Sequence, residues 1–210
     1  MKKLLILCLN LSLCLFILTA CGTSNKVKEL TEDDVKTYTS QMSEEPLSGD
    51  ITLNGVKYTL PTKAKNLEDN GFKYNNYSDK GQPLETGYYV EDICMDDGSK
   101  SEESRMYATL FNTSGDTVNF DDAMLGIIKI SKTKEGYENT VVLPKGITLN
   151  STYDDVINAY GTPKVDYMDQ VGWVKYFVSD LGKYGQELHI EFDKDTKVIS
   201  SIRLKNIPRE

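Results

Sequence analysis

Histidine is almost absent from this chain, and so is cysteine beyond its first residues. The chain has one histidine, His189, and four cysteines, three of which lie within residues 1–21. Zinc sites and Ser-His or Cys-His catalytic pairs require these residue types close together. The chain also has no phosphate-binding glycine loop and no G-x-S-x-G nucleophile turn. We therefore expect no metal site, no cofactor and no enzyme of these classes.

Positive charge is also in short supply. The chain has 24 Lys and Arg residues against 32 Asp and Glu, which gives a net charge of −8. An acidic surface repels phosphate backbones, so we expect no binding to nucleic acid. Adjacent carboxylates occur at Asp121-Asp122 and Asp154-Asp155. They keep open one catalytic alternative, a wall-active hydrolase that uses converging carboxylates.

No apolar run is long enough to cross a membrane. The longest extends from Leu4 to Leu18, is interrupted by Asn10 and Ser12, and falls short of the roughly 20 residues needed to span a bilayer. Two lysines precede the run, and small residues lead from it to Cys21. This arrangement predicts an export signal peptide in residues 1–20. An uncleaved membrane helix is the alternative.

The sequence Leu18-Thr19-Ala20-Cys21 resembles the lipobox of bacterial lipoproteins. The resemblance implies cleavage before Cys21 and a lipid on its sulfur, which would hold the protein on the extracytoplasmic face of the cell membrane. Residues 21–48 are polar and charged, so we interpret them as a tether. Cys94 would then be the only remaining thiol, and free cysteines are usually buried, so we predict that it is a small core residue.

The rest of the chain has the pattern of an α+β protein with antiparallel sheets, each with a packed helix. Asn54-Gly55 lies between two alternating runs, which predicts a hairpin over residues 51–60. Helices are expected after Pro61, with Ala64 and Leu67 buried, and after Ser151 or Thr152, ending at Gly161. Long strands are predicted at the following ranges: 88–95, 106–112, 124–131, 173–178, 186–192 and 198–204.

A similar order of elements occurs in residues 49–135 and 136–210. In both ranges a capped helix ends at a glycine, Gly71 or Gly161, and three strands follow. This spacing indicates two tandem repeats of a helix plus three strands. The alternative is chance recurrence of caps and turns.

Residues 146–163 resemble known repeats. The resemblance lies in Ser151-Thr152, Asp154-Asp155, Tyr160-Gly161 and Pro163. They are similar to the β-lactamase-inhibitor-protein type of repeat and to the small lipoprotein of the outer-membrane barrel-assembly machine. The whole chain also resembles uncharacterised lipoproteins of low-GC Gram-positive bacteria. These resemblances imply a fold that binds other proteins through an exposed sheet face and loops, and they assign no site residues.

Tyrosine is the most abundant candidate for a binding role. The chain has 13 tyrosines, and four of them border an Asn-, Gly- and Gln-containing segment: Tyr74, Tyr77, Tyr88 and Tyr89. Exposed tyrosines bind proteins or glycans at low entropic cost, but tyrosine also serves as a half-buried partner between strands. Trp173 is expected in the core, and His189 on the polar face of its strand with Glu187 and Glu191.

These features favour a membrane-anchored lipoprotein that acts as a non-catalytic binding module for an unknown protein or cell-wall partner. Two alternatives remain open. One is a small-solute-binding lipoprotein of a transporter, and the other is the wall-active hydrolase.

Overall fold

A computed structural model describes residues 30–76, 80–97, 105–132, 140–178, 182 and 184–208. Four helices and fourteen strands lie in these ranges. The helices are α1 (Glu32–Thr39), α2 (Ala64–Glu68), α3 (Tyr153–Tyr160) and α4 (Met168–Val171). The strands are β1 (Asp50–Leu53), β2 (Val56–Thr59), β3 (Thr62–Lys63), β4 (Lys73–Tyr74), β5 (Pro83–Leu84), β6 (Tyr89–Asp96), β7 (Met106–Phe111), β8 (Val118–Asn119), β9 (Met124–Ser131), β10 (Val141–Val142), β11 (Val165–Asp166), β12 (Trp173–Phe177), β13 (Gly185–Phe192) and β14 (Ile199–Ile207).

A nine-stranded antiparallel sheet organises the molecule. Its main strand order is β11-β12-β13-β14-β9-β7-β6-β4, and β3 also pairs with β9. The pair β14–β9 connects the two halves of the chain, with Ile202 opposite Ile130. Two smaller sheets have the orders β10-β1-β2 and β5-β8. The prediction of an α+β protein with antiparallel sheets is confirmed, but the long strands of both halves share one sheet rather than forming two.

One face of the large sheet, called here the inner face, carries the core. Apolar side chains form rows across the strands, because residues paired across an antiparallel sheet point to the same side. One row contains Val174, Ile190, Ile202 and Ile130, all buried. Helices α2 and α3 pack on this face through Ala64, Leu67 and Val156, which belong to the same core cluster. The two predicted ranges 49–135 and 136–210 therefore share a single core.

Local sequence signals account for several of these elements. Asn54 and Gly55 both have positive φ, 49° and 86°, as a tight hairpin turn requires. Thr152 and Asp155 form a reciprocal capping box at the start of α3. Gly161 ends that helix with a φ of 76°, a conformation that favours glycine.

Part of the segment predicted as a tether belongs to the folded unit. Residues 30–48 include α1, whose Val35 side chain lies against Gly146, and Leu47 packs against the core. The carboxylate of Asp50 accepts a hydrogen bond of 2.8 Å from the backbone N–H of Ser43. The sequence does not indicate these contacts, because polar residues alternate with the apolar ones and α1 buries no residue completely. The remainder of the predicted tether lies outside the described residues.

Candidate functional site

The other face of the large sheet, called here the outer face, carries polar and aromatic side chains. Glu187, His189 and Glu191 occupy it on β13, as the alternation of that strand predicts. These side chains are only partly exposed to solvent, because Glu187 is buried while His189 and Glu191 are half-buried. The alternation of β13 thus places these three residues on one side of the strand, but it does not show that Glu187 is buried.

A row of basic side chains crosses the middle of the outer face. Its members lie directly opposite one another on β9, β14, β13 and β12, and we call them the basic row: Lys129, Arg203, His189 and Lys175. Neighbouring strands are about 4.8 Å apart, so the row spans about 14 Å. Tyr107 continues it on β7, opposite Lys129. Both Tyr107 and Lys129 are exposed.

Buried Glu187 contacts two residues of the basic row, Arg203 and Lys175. Its carboxylate accepts a hydrogen bond from Arg203 and lies 3.5 Å from the Lys175 ammonium and 3.6 Å from that of Lys205. Lys205 is buried as well and donates a 2.9 Å hydrogen bond to the carbonyl oxygen of Gly182. One negative charge thus contacts three positive charges, which leaves an excess of positive charge around Glu187 in an acidic protein.

The imidazole of His189 is half-buried on the outer face, where it packs against Trp173. Its ring lies 4.9 Å from the ring of Trp173, and its Nε2 atom is buried with no hydrogen-bond partner among the described residues. Burial lowers the pKa of His189 below its ordinary value of 6.5; Lys175 and Arg203 also lower the pKa, while Glu191 and Glu187 oppose the shift. At neutral pH the basic row therefore carries its charge on Lys129, Arg203 and Lys175.

Trp173 lies on the outer face and not in the core. It is half-buried, opposite Glu191, and it packs edge-on against Tyr167 with ring centroids 4.8 Å apart. The Lys175 ammonium is 5.9 Å from its ring centroid. Alternation places Trp173 on the same side of β12 as Lys175, which is why the prediction of a core residue was wrong.

An apolar cluster occupies one end of the outer face. Phe111, Ile127 and Ile207 are buried together, with Met124 and Tyr184 packed against them. This cluster depends on a close approach to Gly126. A Cβ atom there would lie 2.5 Å from Ile207 and 2.7 Å from Phe111.

Two of the predicted tyrosines lie beside this cluster. Tyr88 and Tyr89 are 62% and 43% exposed, and they line a cavity of about 80 Å³ together with Phe111, Tyr184 and Ile207. Tyr74 is instead buried in the core, because β4 turns it to the inner face opposite Met95. It is not part of an exposed face. Tyr77 and the predicted lipid site Cys21 lie outside the described residues.

Cys94 also differs from its prediction. It is half-buried on the outer face opposite Tyr107, while its neighbours Ile93 and Met95 are the residues that enter the core. Every second residue of β6 points to the outer face, and Cys94 is one of these residues.

The residues of the basic row other than His189 were missed in the sequence. Each is a single basic residue between two apolar ones: Ile128-Lys129-Ile130, Val174-Lys175-Tyr176 and Ile202-Arg203-Leu204. That pattern shows which residues share the polar side of one strand. It does not show that three strands align them, because the alignment depends on pairing between distant segments.

One of the adjacent carboxylates singled out in the sequence, Asp155, has a structural role. Asp155 caps α3, and hydrogen bonds from the backbone and side chain of Thr152 lower its pKa. Within these ranges, no group of three His, Cys, Asp or Glu side chains is placed to hold a metal ion. No helix in the described part of the chain is long and apolar enough to cross a membrane.

A second depression lies at the start of β9. It has a volume of about 580 Å³ and is lined by short loop residues around Asn112 and Asp122. The side-chain amide of buried Asn112 donates to the carbonyl oxygens of Leu84 and Asp116, each at 2.8 Å. These bonds hold the loop in place, so Asn112 has a structural role.

No protein-family model matches this chain. Neither a curated protein nor a solved structure shows significant similarity to it.

Proposed function

We propose that this protein is a membrane-anchored extracytoplasmic lipoprotein that acts as a non-catalytic binding module, and that it docks a protein partner on the outer face of its large sheet. The observation that carries the proposal is the composition of that face. Exposed Tyr107 and half-buried Trp173 and Arg203 are the residue types that contribute most binding energy at protein interfaces. The lipobox-like sequence at Cys21 supports the location.

Charge complementarity supports a partner with negative charge at its docking site. The outer face concentrates cations on a chain whose net charge is −8. Opposite charge speeds encounter and selects among partners. The aromatic residues beside the basic row favour a protein over a plain polyanion, because they need apolar surface to cover.

The solute-binding alternative receives less support. The cavity beside Tyr88 and Tyr89 has about 80 Å³, whereas pockets for small molecules usually have about 300–1,000 Å³. The depression near Asn112 is large enough, but its polar loops bond to one another. A large thermal stabilisation by one metabolite would nevertheless favour this alternative.

We also propose that the two halves are tandem repeats. In the first half α2 precedes β4, β6, β7 and β9, and in the second α3 precedes β11, β12, β13 and β14. Both sets run in order from a sheet edge to the central pair β9–β14. In an experimental structure, superposing the four strands of one half on those of the other should also superpose α2 on α3. Helices that diverge would contradict the relationship.

Photo-crosslinking on intact cells tests the docking face. A benzophenone amino acid replaces Tyr107 on the outer face, and as a control replaces exposed Lys65 on α2. We expect a discrete protein adduct from position 107 and none of the same mass from position 65. Equal adducts from both positions, no adduct from either, or a polydisperse adduct with wall polymer would overturn the proposal of a protein partner.

Replacing Cys21 tests the anchor. A lipid on its sulfur would be lost in Cys21→Ser, so this variant should appear in the culture medium while the parent chain stays with membranes. Detergent-phase partitioning of both proteins provides the measurement. Continued membrane retention of Cys21→Ser would contradict lipid anchoring.

A further inference from the structure

The basic row indicates which kind of partner the outer face recognises. We propose that it binds an extended acidic segment of a partner protein, in which carboxylates occur at alternate positions. This inference rests on the proposed docking function and adds the chemistry of the partner.

The length of the row matches that of a short extended peptide. Lys129 and Lys175 lie at its two ends, three strand spacings apart, or about 14 Å. In an extended peptide, side chains on one side recur every second residue, or about every 6.7 Å. Three carboxylates at positions i, i+2 and i+4 therefore span about 13 Å and match the row from end to end.

Two side chains of the row are held in place by contacts within the protein. Arg203 is tied to buried Glu187 by a hydrogen bond, and Lys175 lies 3.5 Å from the same carboxylate. Their side chains are 32% and 25% exposed, so both reach solvent while their positions are restricted. A partner that meets restricted side chains loses less conformational entropy on binding.

The surroundings of the row favour a peptide over a phosphate polymer. Glu191 lies on the same face beside Trp173, and the whole chain is acidic, so a densely charged polyanion meets repulsion around the row. A short segment with carboxylates on one side avoids most of that repulsion. The side chains on its other side stay in solvent or in its own protein.

The single tryptophan provides a local readout. Trp173 is the only tryptophan of the chain, and its ring centroid is 5.9 Å from the Lys175 ammonium. A ligand that pairs with Lys175 changes the surroundings of the indole. Trp173 fluorescence therefore reports binding at this end of the row without a label.

The test is a titration of the full chain, held in non-ionic detergent, with synthetic peptides of equal composition. One has the core Glu-Thr-Glu-Thr-Glu, and the other has the same residues with the three glutamates contiguous. We expect the alternating peptide to bind at least about twofold more tightly, because only two contiguous carboxylates can face the row and an exposed ion pair contributes about a two- to fivefold effect. Raising the salt to 1 M, where the Debye length is about 3 Å, should abolish binding.

Matched variants locate the binding. Lys129→Gln should weaken the alternating peptide about two- to fivefold, whereas Lys65→Gln, which removes an exposed lysine on α2, should leave it unchanged. Binding of polyphosphate more tightly than either peptide would replace the inference with a phosphate ligand. Equal binding of the two peptides, or equal losses in both variants, would also overturn it.

The peptide titration and the crosslinking experiment test different claims, so one can fail while the other succeeds. A crosslink at position 107 without preference for the alternating peptide would leave the docking face intact and reject the acidic segment. Peptide binding at the row without any crosslink would instead reject docking of a protein partner in cells.

Discussion

Arg203 on β14 donates a hydrogen bond to the buried carboxylate of Glu187 on β13. The two residues are not directly opposite, since Glu187 pairs with Lys205 and Arg203 pairs with His189. The contact is therefore diagonal, and it draws the guanidinium toward the centre of a cationic cluster. Diagonal neighbours in an antiparallel sheet are within reach of long side chains.

Glu187→Gln should destabilise the fold. Its carboxylate neutralises Lys205, which is 3% exposed and remains buried in the variant, and breaking a buried ion pair by removing one partner costs about 3 kcal/mol. Urea denaturation measures the change in the free energy of unfolding. Glu191→Gln on the same strand should change it by less than about 1 kcal/mol. Similar values for the two variants would show that Glu187 does not hold the cluster.

His189 predicts a pH dependence of stability. Because burial lowers its pKa below 6.5 in the folded chain, the unfolded chain takes up the proton first as the pH falls. The free energy of unfolding should therefore decrease as the pH falls from 6.5 to the folded pKa, and this contribution should then level off. Denaturation across this range should show a smaller slope for His189→Gln than for the parent chain.

The same group is measurable through its neighbour. Protonated imidazole quenches indole fluorescence more strongly than neutral imidazole, and the His189 ring is 4.9 Å from that of Trp173. As the pH falls, the fluorescence of the folded protein should decrease with a midpoint below pH 6.5. The variant His189→Gln should lack this transition. A midpoint at or above 6.5 would mean that His189 is solvated.

Gly126→Ala should loosen the apolar end of the outer face. The added Cβ would meet Ile207 at 2.5 Å and Phe111 at 2.7 Å, and such overpacking costs about 1–3 kcal/mol. Thermal unfolding measures the loss. Because Phe111 also lines the cavity with Tyr88 and Tyr89, nuclear magnetic resonance shifts of those rings should change as well. An unchanged melting temperature would contradict the tight contact.

The elements that were predicted from sequence depend on neighbouring residues. The Asn54-Gly55 turn, the helix from Tyr153 to Tyr160 and the strand from Met124 to Ser131 agree with the structure. Their signals are a turn dipeptide, a capping box and a run of apolar residues, all contained within a few positions. The α+β class follows from the same local patterns.

The elements that were missed depend on distant pairing. Strands β3, β4 and β11 have two residues each and exist only because a longer strand pairs with them. Alternation separated the two sides of β12, but it did not show that Trp173 lies on the outer side of the sheet. The basic row has the same origin, because its members come from four strands that the sequence separates by up to 74 positions, from Lys129 to Arg203.

Selective labelling of amines on intact cells tests most directly whether the outer face docks a partner. Lys129 and Lys65 are both exposed in the isolated protein, so a membrane-impermeant acylating reagent should modify both after purification, and their labelling ratio there is the reference. On cells, docking should reduce the labelling of Lys129 relative to Lys65, as quantified by mass spectrometry of the two peptides. An unchanged ratio on cells and in the purified protein would contradict the account.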